Sequence, residues 1–99
     1  MKLKNYAMGA WIEGQGQGHP LYDASTGEII ALAGSDGLDF DGMLQYGRKV
    51  GNKNLRKMTF QERGRMLKAL ALYLMERKEK YYEVSYKTGA TKVDSWIDI

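Results

Sequence analysis

A seam of apolar residues runs along the stretch from about residue 60 to residue 88, at the spacing of one face of an α-helix. Its first members are Leu67, Leu70, Ala71, Leu74 and Met75. The seam is then interrupted, because Arg77 and Lys78 are charged and aromatic side chains resume it only at Tyr81. We therefore predict either two helices or one helix with a sharp kink near residues 76–79.

Start and stop signals bound these helices. Thr59 followed by Glu62 has the spacing of a capping box, in which the hydroxyl accepts from a backbone amide and the acid reaches back to the cap. Gly89 supplies a stop signal. Thr91 and Asp94 repeat the capping spacing, so a further helix should begin directly after Thr91. No stop signal follows in the sequence, and we interpret the chain as a piece cut from a larger protein, incomplete at its C-terminus.

The first half of the chain predicts a β-hairpin and one helix. Strands over residues 8–13 and 28–33 flank a turn, Asp23–Glu28, in which Gly27 can take a positive φ. A first helix over residues 38–51 is predicted by the helical spacing of Phe40, Met43, Leu44, Gly47 and Val50.

The charges of this first helix are expected to follow the helix dipole. Asp39 and Asp41 would lie in its first turn, and Arg48 and Lys49 would lie in its last turn. Acids near the N-terminus and bases near the C-terminus of a helix stabilise it.

Together these segments predict an α+β fragment, mainly helical, in which a hairpin region over residues 1–35 precedes a helical region over residues 36–99 with three to four helices. The 99 residues, 43% of them hydrophobic, suit one small domain or part of one. The absence of cysteine excludes a disulfide, a thiolate nucleophile and a thiolate metal site. No stretch approaches the ~20 apolar residues of a membrane span, and no secretory signal is apparent, so we expect a cytoplasmic protein with no membrane contact.

The net charge of +3 is unevenly distributed. From Gly47 onward, 13 Lys and Arg face 6 Asp and Glu. A small basic helical protein that binds nucleic acid, or one that self-associates through Trp96–Ile99, is therefore an alternative interpretation. Acids at helical spacing from bases, such as Glu76 and Lys80, favour a solvated helical surface instead. Packing at the edge of a core is likewise favoured over base stacking for Tyr81, Tyr82 and Tyr86.

No set of residues assembles a catalytic, cofactor-binding or metal site. The run Gly14–Gly18 invites comparison with a phosphate loop, but His19 and Pro20 follow it where a dinucleotide fingerprint needs a helix, so a flexible hairpin loop is favoured. His19 is the single histidine and has no Ser, Cys or carboxylate cluster beside it. We interpret Asp36, Asp39 and Asp41 as acids at the start of a helix rather than as ligands of a cation.

The order of these segments resembles the N-terminal portion of the aldehyde dehydrogenase superfamily, although Asp23-Ala24 replaces the family's usual Asn-Pro and the tryptophan common before the long helix is missing. More detailed motifs are Ser35–Asp39, Met58–Arg63, Met66–Ala69, Thr88–Thr91, Asp94–Trp96 and Asp98–Ile99. In these motifs the chain looks most like the bifunctional phenylacetate-degradation proteins, whose dehydrogenase domain precedes a hotdog-fold hydratase domain that opens an oxepin-CoA ring.

The resemblance implies a parent enzyme of α/β aldehyde dehydrogenase fold that oxidises a CoA-linked semialdehyde to the acid with NADP or NAD. The catalytic cysteine and glutamate and the cofactor-binding units would belong to downstream sequence. This chain alone would bind no cofactor and be catalytically silent. Its expected partners are the remainder of its own dehydrogenase domain and further copies in a homo-oligomer, with no nucleic acid and no membrane.

One further feature of the family maps onto this sequence. Some aldehyde dehydrogenases hold a monovalent cation with an aspartate early in the helix after the Thr-Gly turn and with a carbonyl near the first hairpin. The matching positions are Asp98 and the carbonyl of Tyr22. A surface acid is the favoured interpretation of Asp98, so we assign no metal site.

Overall fold

The computed structural model describes residues 1–99. The chain folds as two units. Unit one comprises residues 1–21 and 29–58, and unit two comprises residues 22–28 and 59–99.

Two antiparallel strand pairs form the first part of the chain. β1 (Lys4–Ala7) pairs with β2 (Ala10–Glu13), and β3 (His19–Tyr22) pairs with β4 (Ile29–Ala33). The predicted hairpin between residues 8–13 and 28–33 is therefore wrong in its partners.

The reason for this difference is a tight local turn. The β1–β2 loop consists of Met8 and Gly9, with φ of 51° and 77°. Two residues of positive φ twist a two-residue turn to match the twist of antiparallel strands, so β2 pairs with its neighbour in sequence. The Tyr6 and Trp11 rings, 5.1 Å apart at 66°, pack across this pair.

β4 is joined to the N-terminus as well as to β3. The Leu3 amide donates to the Leu32 carbonyl at 2.8 Å, and the Leu32 amide donates to the Met1 carbonyl at 2.9 Å. The small core of unit one contains Ala7 and Ala31, each 5% exposed.

A continuous helical rod follows in unit one. It consists of α1 (Phe40–Tyr46), a π turn (Gly47–Gly51) and α2 (Asn52–Arg56). The predicted end at Gly51 is wrong, because the glycines at the two ends of the π turn keep right-handed helical angles and so do not stop the helix.

The charges at the ends of this rod differ in part from the prediction. The Asp39 carboxylate is the N-cap and accepts from the Gly42 amide at 2.9 Å, while Asp41 lies in the first turn. Because the rod continues to Arg56, Arg48 and Lys49 lie in its middle, so their predicted place in the last turn is wrong.

The helices of unit two begin and break where the sequence predicts. α3 (Phe60–Glu76) starts after Thr59, whose hydroxyl accepts from the Glu62 amide at 3.1 Å. The predicted interruption is confirmed at Arg77, where φ is −114° and ψ is 12°. The Arg77 guanidinium lies 3.5 Å from the centre of the Tyr73 ring and donates to the Tyr73 carbonyl at 3.0 Å.

Two shorter helices complete the fold. α4 (Lys78–Tyr86) ends before Gly89, whose φ of 88° confirms the predicted stop, and α5 (Lys92–Asp98) begins with a full capping box. With the helical rod of unit one, the helical region contains four rods, in agreement with the predicted three to four helices. None of the helices is both long and apolar enough to cross a lipid bilayer.

The core of unit two lies between α4 and α5. Tyr82 is 2% exposed, and Ser95 is fully buried. The Ser95 hydroxyl lies 2.9 Å from the Ser85 hydroxyl and 2.9 Å from the Thr91 carbonyl oxygen. The turn over residues 22–28 is tied to this pair of helices because the Ala24 amide donates to the Lys87 carbonyl at 2.8 Å.

Candidate functional site

The glycine-rich run connects the two strand pairs. It follows β2 and leads into β3, so it is neither the start of a helix nor the loop of a hairpin, and the predicted hairpin loop is wrong in that respect. The Lys2 ammonium donates to the carbonyl oxygens of Gly14 and Gly16. The loop therefore turns carbonyl acceptors toward a cation, which is the opposite of the amide donors that a phosphate requires.

The backbone of this loop lies very close to a second loop. The Gln15 amide donates to the Asp36 carbonyl at 2.8 Å. A Cβ atom at Gly14 would lie 2.4 Å from the carbonyl oxygen of Gly34, which is closer than side-chain carbons approach backbone oxygens. The two loops of unit one can therefore pack this closely because position 14 has no side chain.

The predicted chemical candidates lie apart in the fold. His19 is exposed on β3, and Asp39 caps a helix. No group of three or more His, Cys, Asp or Glu residues is placed to hold a metal ion. Tyr22 ends β3 and Asp98 ends α5, both exposed, as expected for the surface acid that was favoured for Asp98.

The acid with a perturbed pKa has a structural role. The pKa of Asp94 lies below its ordinary value because the Thr91 hydroxyl and the Thr91 backbone amide donate hydrogen bonds to its carboxylate. The bond from the Thr91 amide is one half of the capping box of α5. The shift therefore marks a helix start and offers no acid or base for catalysis.

A groove lies between α4 and α5 on unit two. Its volume of about 310 Å³ is at the lower end of small-molecule sites. The groove is lined by Lys78, Glu79, Tyr82, Lys92, Val93 and Trp96. Three of these six residues are apolar or aromatic, and the other three are charged.

Apolar side chains cover the surfaces of two helices in unit two. α3 buries none of its 17 residues, and Leu67, Leu70 and Met75 are 61%, 53% and 58% exposed. On α5, Trp96 and Ile97 are 65% and 68% exposed. Large contiguous apolar surfaces of this kind mark sites of contact with other protein surfaces.

A basic surface on unit one was missed by the analysis of the sequence. It consists of five exposed side chains, Arg48, Lys49, Lys53, Arg56 and Lys57, which we call the basic face. The signal was present in the sequence, because residues 42–61 contain these five bases and no acid. Averaging the charge over the whole second half of the chain concealed it.

Comparison with known proteins identifies one relative. No protein-family model matches the chain. Across an alignment of 100 positions that covers the whole chain, it is 39% identical to a curated 3,4-dehydroadipyl-CoA semialdehyde dehydrogenase from Aromatoleum evansii. The predicted resemblance to a CoA-linked semialdehyde dehydrogenase is confirmed. The chain spans 19% of the length of this relative, so about four-fifths of the relative's sequence has no counterpart in these 99 residues.

Proposed function

We propose that this chain is the N-terminal structural part of an NAD(P)-dependent aldehyde dehydrogenase that oxidises a CoA-linked semialdehyde to the acid. The observation that carries the proposal is the 39% identity to a semialdehyde dehydrogenase along the entire chain. The chain contains no cysteine, so the thiolate nucleophile of such an enzyme would come from other sequence. By itself the chain is catalytically silent.

The exposed surface supports this structural role. The chain exposes 8037 Å² to solvent. Two separately compact units, each of about half the chain's mass, would together expose roughly 6,900 Å². The excess, more than ~1,000 Å² by this scaling, lies within the range that specific protein interfaces bury.

The apolar seam of α3 is the surface that most needs a partner. Leu67, Leu70 and Met75 are each more than half exposed. A fully buried leucine contributes about 1.5–3 kcal/mol, and most of that contribution is unrealised at these positions. The remainder of the same dehydrogenase domain is the partner we propose for this seam.

A chimeric enzyme tests the proposal. The segment of the Aromatoleum evansii dehydrogenase that aligns with this chain is replaced by the chain itself, and oxidation of a CoA-linked semialdehyde is followed by NAD(P)H absorbance. We expect activity in the chimera and none in the purified 99-residue chain. A dehydrogenase from which the aligned segment is deleted serves as the control and should be inactive.

A second chimera tests the role of the seam. Leu67→Gln and Leu70→Gln together place two polar side chains on it, and we expect loss of soluble, active enzyme. Gln61→Leu changes an exposed residue in the first turn of the same helix and should leave activity intact. Full activity of the seam variant, or inactivity of the unmodified chimera, would contradict the proposed role.

A further inference from the structure

The basic face has no acidic partners. All five of its side chains are exposed, and none of them forms a salt bridge. The salt bridge of the structure joins Arg77 and Glu76, at 3.4 Å, in unit two. Five cations without neutralising carboxylates repel one another, and an anion that binds among them relieves that repulsion.

The π turn brings these cations to one side of the helical rod. The Asn52 amide donates to the carbonyl of Gly47, five residues earlier, which is the bond of a π turn. On a regular α-helix, at about 100° per residue, the five side chains would spread over about 180°. A π turn advances by roughly 80–90° per residue, so the same side chains fall within about 120°.

The other side of the rod is apolar. It carries Val50, Gly51 and Leu55, of which Val50 is 38% and Leu55 43% exposed. The rod therefore separates an apolar side from a cationic side. π turns are frequent at functional sites because they shift side chains relative to the regular helix.

We propose that the basic face binds the 3′-phosphoadenosine diphosphate end of a CoA thioester. This inference rests on the proposed function, from which the CoA-linked substrate comes. The CoA end carries three phosphate groups, which are strong acceptors for lysine and arginine donors. The face rises by about 13 Å along the rod, so its two ends reach separated phosphates rather than a single one.

The rest of unit one favours a compact anion over a long one. Outside the basic face, unit one carries four acids against two lysines. The acids are Glu13, Asp36, Asp39 and Asp41. A nucleic acid extends past a five-residue patch, and the acidic balance of the rest of unit one disfavours a long polyanion, whereas a ligand with three phosphates is accommodated by the patch alone.

Binding of CoA to the purified 99-residue chain tests the inference. CoA is titrated at low ionic strength, and the dissociation constant and the amide chemical shifts are measured. We expect shifts in the segment from Arg48 to Lys57 and weaker binding as salt is added, because salt screens exposed charges. Dephospho-CoA, which lacks the 3′-phosphate, should bind more weakly than CoA.

Two variants that lose the same number of positive charges distinguish an effect of the basic face on CoA binding from an effect of the net charge. The first combines Lys49→Gln, Lys53→Gln and Arg56→Gln. The second combines Arg65→Gln, Lys80→Gln and Lys87→Gln, three exposed bases of unit two. A single exposed ion pair contributes little to binding, but the first variant removes three of them from the basic face. We therefore expect about tenfold weaker CoA binding in the first variant and less than about twofold weaker binding in the second.

Three results would overturn the inference. The first is equal CoA affinity in both variants, with circular dichroism showing that both are folded. The second is binding of a short DNA duplex more tightly than CoA, which would assign the face to nucleic acid. The third is equal affinity for NADP⁺ and CoA. An active chimeric dehydrogenase together with no CoA binding would reject this inference alone, whereas an inactive chimera would reject the proposed function.

Discussion

Replacing Ser95 with leucine should destabilise unit two by most of its folding free energy. Ser95 is fully buried between α4 and α5, so the two additional heavy atoms of leucine have no free space to occupy. Overpacking a buried site costs about 1–3 kcal/mol. Loss of the hydroxyl removes a hydrogen bond worth about 0.5–1.5 kcal/mol.

The alanine variant separates these two contributions. In Ser95→Ala the Thr91 carbonyl keeps a partner, because the backbone amide of residue 95 donates to it at 3.0 Å. The alanine variant should therefore lose about 1 kcal/mol, and the leucine variant about 2–4 kcal/mol. A unit of about 50 residues is stable by only about 2–7 kcal/mol, so the leucine variant should retain only a small part of its stability.

Tryptophan fluorescence provides the assay. Trp96 lies on α5 beside Ser95, and a Trp11→Phe background leaves Trp96 as the sole tryptophan. Urea unfolding of the parent, the alanine variant and the leucine variant is followed at this residue. A leucine variant as stable as the alanine variant would refute the packing of α4 against α5 described here.

Three other substitutions test local features. Gly14→Ala should destabilise unit one by more than about 1 kcal/mol, because its Cβ would lie 2.4 Å from a backbone oxygen. Gly64→Ala, in open space on α3, should instead stabilise the chain by up to ~1 kcal/mol. Thermal unfolding compares the two variants, and equal effects would contradict the close approach at Gly14. Met8→Asn should stabilise unit one by a few tenths of a kcal/mol or more, because asparagine tolerates the φ of 51° better, and a lower midpoint in urea would contradict this. Asp94 has a lowered pKa in the folded state, so its contribution to stability is present above the pKa of the unfolded chain and is lost as the pH falls through the folded pKa. The urea-unfolding midpoint of the parent should therefore fall toward that of Asp94→Asn below about pH 4. A difference between the two midpoints that stays constant with pH would contradict the capping role.

Local signals in the sequence were sufficient for the helix boundaries of unit two. Thr59 and the pair Thr91 and Asp94 cap helices because their side chains reach backbone amides only two or three residues away. Arg77 breaks the long apolar seam, and the change of helix follows at that residue. Such features depend on neighbours in sequence, so the amino-acid pattern predicts them.

Strand pairing was not predictable from the same pattern. β1 is four residues long and mostly polar, so it shows no hydrophobic alternation. Its turn places a methionine at positive φ, where asparagine or glycine is the usual signal. The apolar segment Glu28–Ala33 was consequently assigned to the wrong partner strand.

The π turn and the basic face were missed for a related reason. Helical periodicity assumes about 100° per residue, and the helix was expected to end at Gly51. The register shift depends on a hydrogen bond between residues 47 and 52, which no side-chain pattern records.

Sequencing the source gene beyond the codon for Ile99 tests the central claim most directly. A structural segment of a semialdehyde dehydrogenase requires the reading frame to continue for on the order of four hundred codons, in proportion to the 19% share of the relative that the chain spans. That continuation should encode a cysteine and a glutamate of the catalytic type. A stop codon immediately after Ile99 would contradict the account and would leave an independent binding or self-associating protein as the alternative.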